Sequence, residues 1–87
     1  MKYQIKFRSS ALKEILSLPK KIADRVRDSI DALADEPRPF GYIQLKGSEK
    51  LFRIRIGDIR VVYTIEEEIR IVEIWTVGNR REIYRKR

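Results

Sequence analysis

The spacing of apolar residues changes along the chain and divides it into a strand, two helices and four further strands. Residues 3–8, "YQIKFR", alternate apolar and polar side chains, which is typical of a strand with one buried face. Four more stretches with strand character follow residue 41: "YIQLKG", "KLFRIRI", "DIRVVYTI" and "IRIVEIWTV". They predict a sheet in the second half of the chain.

Between the first strand and that sheet, apolar residues recur every three or four positions, which predicts two helices. The first, in "SSALKEILSLP", is expected to bury Leu12, Ile15 and Leu16 behind a serine cap. Pro19 ends it, because the residue before a proline avoids helical backbone angles. The second, in "KKIADRVRDSIDALADE", carries one apolar stripe, which consists of Ile22, Val26, Ile30 and Leu33.

The breaks between these segments complete the predicted fold. Two prolines and a glycine interrupt regular structure in "EPRPFG", Gly57 and Asp58 form a two-residue hairpin turn, and residues 66–68 form a polar turn. The sequence predicts a single α+β domain over residues 1–87. It has an N-terminal strand, a helical hairpin and a four-stranded antiparallel meander, with both helices on one face of the sheet. Tyr63 and Trp75 lie within strand runs and are expected in the core.

Three arginines interrupt the hairpin "LFRIRIGDIRVVY" in a regular way. Arg53 and Arg55 alternate with apolar residues on one strand, and Arg60 alternates on the next. If the helices cover the apolar face, the arginines share the other one. Like charges that face each other across a hairpin repel, so the cluster is expected to serve a function. Arg60 could equally be the ion-pair partner of Glu73 or of an acid in a turn.

The charge of the whole chain is consistent with that expectation. The formal net charge is +7. Residues 37–87 hold twelve basic and seven acidic side chains, whereas residues 9–36, which are predicted to be helical, hold five basic and six acidic side chains. A basic sheet beside nearly neutral helices predicts a surface for a polyanion, and nucleic acid is the polyanion that we expect. The plainer alternative to a nucleic-acid surface is that the basic residues only keep the protein soluble.

The residues that the chain lacks limit its chemistry. It has no histidine and no cysteine, so it lacks the most common general base near neutral pH, a thiolate nucleophile and the usual zinc ligands. There is no cluster of metal ligands and no glycine-rich phosphate loop, so neither a metal nor a cofactor is predicted. Because no stretch of 18 apolar residues and no secretory signal occurs, no membrane association is expected and a cytoplasmic location is the default.

Two motifs, in this order and with this distance between them in the sequence, resemble those of a known protein family. The hairpin reads R-I-R-x-G-D-x-R-V-x-Y, and the segment after the last strand reads G-N-R-R-E-x-Y. Together with "LPKKIADRVRDSIDALADEPRPFGYIQLKG" they resemble the RelE/ParE superfamily of toxins from type II toxin–antitoxin systems. The resemblance extends from Tyr3 to Tyr84.

The resemblance implies a role for each candidate residue. In RelE-like toxins, which cut mRNA in the ribosomal A site, residues that match Arg53 and Arg55 flank the scissile phosphate. Arg60 matches the arginine after the turn, Arg80 the arginine that stabilises the transition state, and Tyr84 a tyrosine that stacks on or orients the nucleotide. Tyr84 also lies in the basic tail "RREIYRKR", where an aromatic side chain among cations is suited to base stacking.

The identity of the general base stays open. RelE enzymes can have lysines at the positions of Arg53 and Arg55, but an arginine has a pKa above 12 and cannot take up a proton usefully. Tyr84 could act as the base if neighbouring arginines lowered its pKa.

The resemblance also implies partners: an antitoxin encoded by the adjacent gene, mRNA in the ribosomal A site, and operator DNA through the antitoxin complex. Two alternatives to mRNA cleavage remain. One is a ParE-like protein that inhibits DNA gyrase. The other is a degenerate member that binds its antitoxin without cleaving RNA.

Overall fold

In the part of the chain that the structure describes, seven secondary-structure elements follow one another in the predicted order. The structure, a computed structural model, describes residues 2–45, 47 and 50–79. The elements are β1 (Gln4–Phe7), α1 (Ser9–Leu16), α2 (Lys20–Ala32), β2 (Ile43–Gln44), β3 (Leu51–Ile56), β4 (Ile59–Glu66) and β5 (Ile71–Asn79). The predicted α+β fold, with a helical hairpin between the first strand and the meander, is thereby confirmed.

The five strands form one sheet in the order β1-β5-β4-β3-β2. β2 to β5 are antiparallel neighbours, whereas β1 runs parallel to β5, with Gln4 beside Ile71 and Phe7 beside Ile74. The first and last strands are thus joined at one edge. That arrangement places the start of α1 next to the second half of β5.

Both helices cover the same face of the sheet. Ala11 and Ile15 of α1 and Val26 and Ile30 of α2 are buried against apolar side chains of the sheet. The strand residues of this core are Ile54, Ile59, Val61, Tyr63, Val72, Ile74 and Val77. The predicted apolar faces of β3 and β4 and most of the stripe of α2 are therefore correct.

The prediction for α1 was partly wrong. Ile15 is buried, but Leu16 is 81% exposed and Leu12 is 47% exposed. The reason is that Ala11, one turn before Ile15, contacts the core, and positions 12 and 16 lie about 100° around the helix from that line. The serines form no cap either: α1 begins at Ser9, and the residue at the N-cap is Arg8.

Tyr63 anchors the segment that precedes the meander. Its side chain is fully buried, and its hydroxyl donates a hydrogen bond of 2.7 Å to the carbonyl oxygen of Pro37. Burial raises the pKa of Tyr63 above its ordinary value, because the phenolate would lose its hydration. The prediction that Tyr63 belongs to the core is confirmed.

Tyr63→Phe is expected to lower the free energy of unfolding at pH 7 by about 1–2 kcal/mol, because the buried Pro37 carbonyl loses its donor. Urea denaturation measures this loss. The matched control is Tyr42→Phe, at a half-buried tyrosine whose ring centroid lies 5.8 Å from that of Phe52. Equal losses in the two variants would contradict a stabilising role for the Tyr63 hydroxyl.

Candidate functional site

The hairpin of β3 and β4 brings the three predicted arginines together on one face of the sheet. In its register Arg55 lies directly opposite Arg60, and Arg53 lies two residues before Arg55 on the same side of β3. Gly57 closes the turn with a φ of +61°, a conformation that glycine adopts without strain. This side of the sheet, which carries Arg53, Arg55 and Arg60, is called the arginine face below, and the helices pack on the other side.

The arginines differ in exposure. Arg55 is exposed, but Arg53 and Arg60 retain only 8% and 7% of their accessible surface. Two of the three are therefore buried, although all three lie on the side of the sheet that the helices do not cover. Their charges are poorly screened by water, so a phosphate that reaches them interacts more strongly than it would at an exposed arginine.

Acidic residues gather at the opposite end of the sheet. Glu66, the last residue of β4, lies six positions from Arg60, which corresponds to roughly 20 Å along the strand. Glu73, considered as a partner for Arg60, instead has a carboxylate oxygen 3.6 Å from Nε of Arg8. Glu66 and the acidic residues of the turn that follows it thus lie at the end of β4 that is distant from Arg60.

The acidic end has a network of its own. Arg38 donates a hydrogen bond to Glu67, and the hydroxyl of Tyr3 donates a second one of 3.2 Å. These hydrogen bonds, the one from Arg38 first, hold the pKa of Glu67 below its usual value. Glu67 thus links the β4–β5 turn to the start of the sheet.

The second half of β5 runs beside Arg60. Gly78 lies directly opposite Arg60, and Asn79 opposite Ile59. Because Gly78 has no side chain, it adds no bulk beside Arg60. Arg80 and Tyr84, the other two candidate catalytic residues, lie outside the described residues.

A β-bulge sets the register of this half of β5. Tyr63 pairs with Ile74 and Val62 pairs with Thr76, so Trp75 is an extra residue on β5. A carboxylate oxygen of Glu14, on α1, accepts hydrogen bonds from the Val77 amide at 2.7 Å and the Thr76 hydroxyl at 2.9 Å. The helix thus holds the strand where the extra residue shifts its register.

The bulge explains why the prediction for Trp75 was wrong. Trp75 is half-buried and does not belong to the core cluster. The ring of Trp75 lies 3.6 Å from the guanidinium carbon of Arg8. In the structure both Ile74 and Val77 face the core although they are three residues apart, which strict alternation does not allow.

A groove of about 450 Å³ lies between α2 and β3. β2 pairs with β3 only at Phe52 and Arg53, so the outer edge of β3 beyond Arg53 has no neighbouring strand among the described residues. Residues from α2, the segment 39–41 and β3 line the groove: Ser29, Ala32, Pro39, Phe40, Gly41, Arg53, Ile54, Arg55 and Ile56. The side chain of Phe40, which lines this groove, is completely exposed.

In the ranges that the structure describes, no three acidic side chains lie close enough together to hold a metal ion. The two described helices are also too short and too polar to cross a membrane.

Comparison with known proteins decides the family. The sequence model of the family described as "ParE toxin of type II toxin-antitoxin system, parDE" matches residues 5–84. The chain belongs to the RelE/ParE toxin superfamily. This toxin is also 31% identical, over 98% of either chain, to a protein of Methanocaldococcus jannaschii described as toxin RelE1.

Solved structures of RelE proteins share the fold of the toxin. RelE of the archaeal RelE–RelB complex from Pyrococcus horikoshii has a TM-score of 0.80 and 33% identity, covering 92% of this chain and 97% of that one. A variant of Escherichia coli RelE in the free state has a TM-score of 0.81 and 25% identity, covering 98% and 93%. The toxin is therefore RelE-like in fold.

Proposed function

We propose that the toxin is a ribosome-dependent endoribonuclease that cuts mRNA in the ribosomal A site and so inhibits translation. The observation that carries this proposal is the pairing of Arg55 with Arg60 across the hairpin, with Arg53 on the same face. Like charges directly opposite each other destabilise a sheet. A phosphate between them would relieve the repulsion.

The reaction needs few protein groups, because RNA contains its own nucleophile. The 2′-oxygen attacks the adjacent phosphorus, the bond from phosphorus to the 5′-oxygen breaks, and a 2′,3′-cyclic phosphate remains. One proton leaves the 2′-hydroxyl, and another reaches the 5′-oxygen. Alignment of the attack contributes up to ~7–11 kcal/mol in favourable cases, and each well-placed donor to the developing charge contributes ~3–4 kcal/mol. Arginine donors can therefore account for metal-independent cleavage.

The candidate residues divide the roles of this scheme among them. Arg53 and Arg55 bind the phosphate oxygens, and Arg60 and Arg80 stabilise the charge that develops on them. Tyr84 stacks on the nucleotide. Because arginine does not give up its proton near neutral pH, the proton of the 2′-hydroxyl passes to Tyr84, to solvent or to the ribosome.

Toeprinting on programmed ribosomes tests the proposal. Purified toxin is expected to produce a cut in the A-site codon, and end-group analysis of the product is expected to find a 2′,3′-cyclic phosphate. Intact mRNA after saturation with toxin would reject the proposal.

The match to the ParE family supports a second candidate, inhibition of DNA gyrase without RNA cleavage. A supercoiling assay with the same preparation separates the two functions. Toxin that blocks supercoiling and leaves mRNA intact acts like ParE. Toxin that does neither, yet binds its antitoxin, is a degenerate member.

The toxin is also proposed to bind an antitoxin encoded by the adjacent gene, and operator DNA through that complex. The solved structures that it resembles include complexes of RelE with RelB from Pyrococcus horikoshii and Escherichia coli. The arginine face favours an acidic segment, and the groove beside β3 offers apolar contacts through Ile56 and the exposed Phe40. Because translation takes place in the cytoplasm, the toxin is also proposed to act there.

Antitoxin binding is expected to abolish cleavage and to depend on salt mainly through the association rate. Opposite charges speed encounter more than they slow dissociation, and salt screens them. The rate constants are measured by surface plasmon resonance between 50 and 500 mM NaCl. As the salt concentration rises, the association rate constant is expected to fall about tenfold or more, and the dissociation rate constant is expected to change much less. An adjacent gene product that binds without silencing the toxin would contradict this.

A further inference from the structure

Trp75 is placed beside the arginine face by the bulge in β5. Its neighbour Thr76 pairs with Val62, and Val62 lies on the same side of the sheet as Arg60. A pocket of about 590 Å³ beside Trp75 is lined by residues of this side, among them Thr64 and Glu73. The largest aromatic side chain of the toxin thus lies on the side of the sheet proposed to meet RNA.

Arg8 covers the ring of Trp75. The distance of 3.6 Å between its guanidinium carbon and the ring centroid is a stacking distance, and a cation over the face of tryptophan is attracted by the ring. Glu73, across the β1–β5 pair, holds Nε of the same guanidinium at 3.6 Å. The side chain of Arg8 is nevertheless 46% exposed. The guanidinium is therefore held by Trp75 and Glu73 in a side chain that is still partly accessible.

This pair lies on the same side of the sheet as the arginines and further across it. The bulge falls between Val62 and Tyr63, roughly 7–10 Å along β4 from Arg60, and Trp75 on β5 and Arg8 after β1 lie one and two strands away, at roughly 4.8 Å per strand. An RNA strand bound with one phosphate at Arg55 and Arg60 can therefore extend to Arg8 along the same side of the sheet.

We propose that Trp75 and Arg8 form a base-stacking platform for a nucleotide of the substrate RNA next to the scissile phosphate. Unstacked bases in RNA complexes lie on aromatic rings and on guanidinium planes, and a guanidinium held against a tryptophan needs no reordering to accept one. The exposed face of Arg8 receives the base, and Trp75 and Glu73 keep Arg8 in place. The inference rests on the proposed function, since it names a second contact for the same RNA.

The two contacts differ in what they recognise. Arg53, Arg55 and Arg60 bind phosphate, which every nucleotide carries, whereas stacking requires a base. A probe without bases therefore separates them. The first probe is a short oligoribonucleotide methylated at every 2′-oxygen, so that it cannot be cut, and the second is an abasic oligomer with the same number of phosphates.

Binding of both probes is measured by fluorescence anisotropy with the full-length toxin. The wild type is expected to bind the base-containing probe about tenfold more tightly than the abasic probe, within the range that stacking on an aromatic group contributes. Arg8→Ala is expected to lower this ratio at least threefold, and Arg8→Lys to lower it as well, because lysine keeps the charge and loses the plane. Trp75 is the only tryptophan of the chain, so its fluorescence is expected to be quenched by the base-containing probe alone.

Arg27→Ala is the matched control. It removes one charge from an exposed position on α2, on the other side of the molecule, and is expected to leave the ratio unchanged. Melting temperatures of the variants confirm that each is folded. A wild-type ratio near one, failure of the wild type to bind either probe, or a fall of less than threefold in Arg8→Ala would overturn the platform. Its failure is distinguishable from that of the proposed function, because cleavage on programmed ribosomes is scored separately with wild-type toxin.

Discussion

Arg80→Ala is expected to lower the single-turnover rate of A-site mRNA cleavage by about 100-fold or more. Loss of one preorganised donor to the charge of a transition state costs that much in other enzymes, or ~3 kcal/mol. Gly78, two residues earlier in the chain, lies opposite Arg60. Arg80, which the family resemblance assigns to the transition state, follows in the sequence directly after Asn79, the last described residue.

The control for this prediction is Arg81→Ala, which removes the same charge from the adjacent position. The resemblance assigns no role to Arg81, so its loss is expected to change the rate by less than about threefold, an effect below 1 kcal/mol. Quenched-flow measurement at saturating toxin separates the chemical step from binding to the ribosome. Equal losses in the two variants would indicate that only the total charge of this segment matters.

Arg55→Gln is expected to have opposite effects on activity and on stability. Cleavage should fall at least tenfold, because a bidentate donor to the phosphate is lost. The free energy of unfolding should rise by about 0.5 kcal/mol, since the repulsion between Arg55 and its cross-strand partner Arg60 disappears. Single-turnover cleavage and urea denaturation measure the two effects.

Arg25→Gln provides the comparison, since Arg25 is exposed on α2 and lies far from the hairpin in sequence. It should leave cleavage unchanged and alter the free energy of unfolding by less than Arg55→Gln does. If Arg55→Gln destabilised the toxin, the pair of arginines would be part of the structural framework. The expected result instead identifies a site where stability is given up for function.

The local pattern of residues was sufficient to predict the elements and the composition of the arginine face. In a strand, successive side chains point to opposite faces, so the alternation in "FRIRIGDIRVVY" placed the arginines on one side once the turn at Gly57 was recognised. The helical spacing of Val26, Ile30 and Leu33 likewise identified the buried face of α2 correctly.

Features that depend on pairing between distant segments could not be predicted from the local sequence pattern. The parallel pairing of β1 with β5 brings Arg8 to Trp75, 67 positions away along the chain. Beside the bulge at Trp75, a carboxylate oxygen of Glu14 in α1 accepts a hydrogen bond from the amide of Val77, and a rule of strict alternation anticipates neither the bulge nor this contact. Periodicity describes how a side chain is oriented relative to its neighbours in sequence, whereas register and bulges are set by hydrogen bonds between strands and to the helix. The arginine face was therefore predictable, and the aromatic site beside it emerged only when the sheet was assembled.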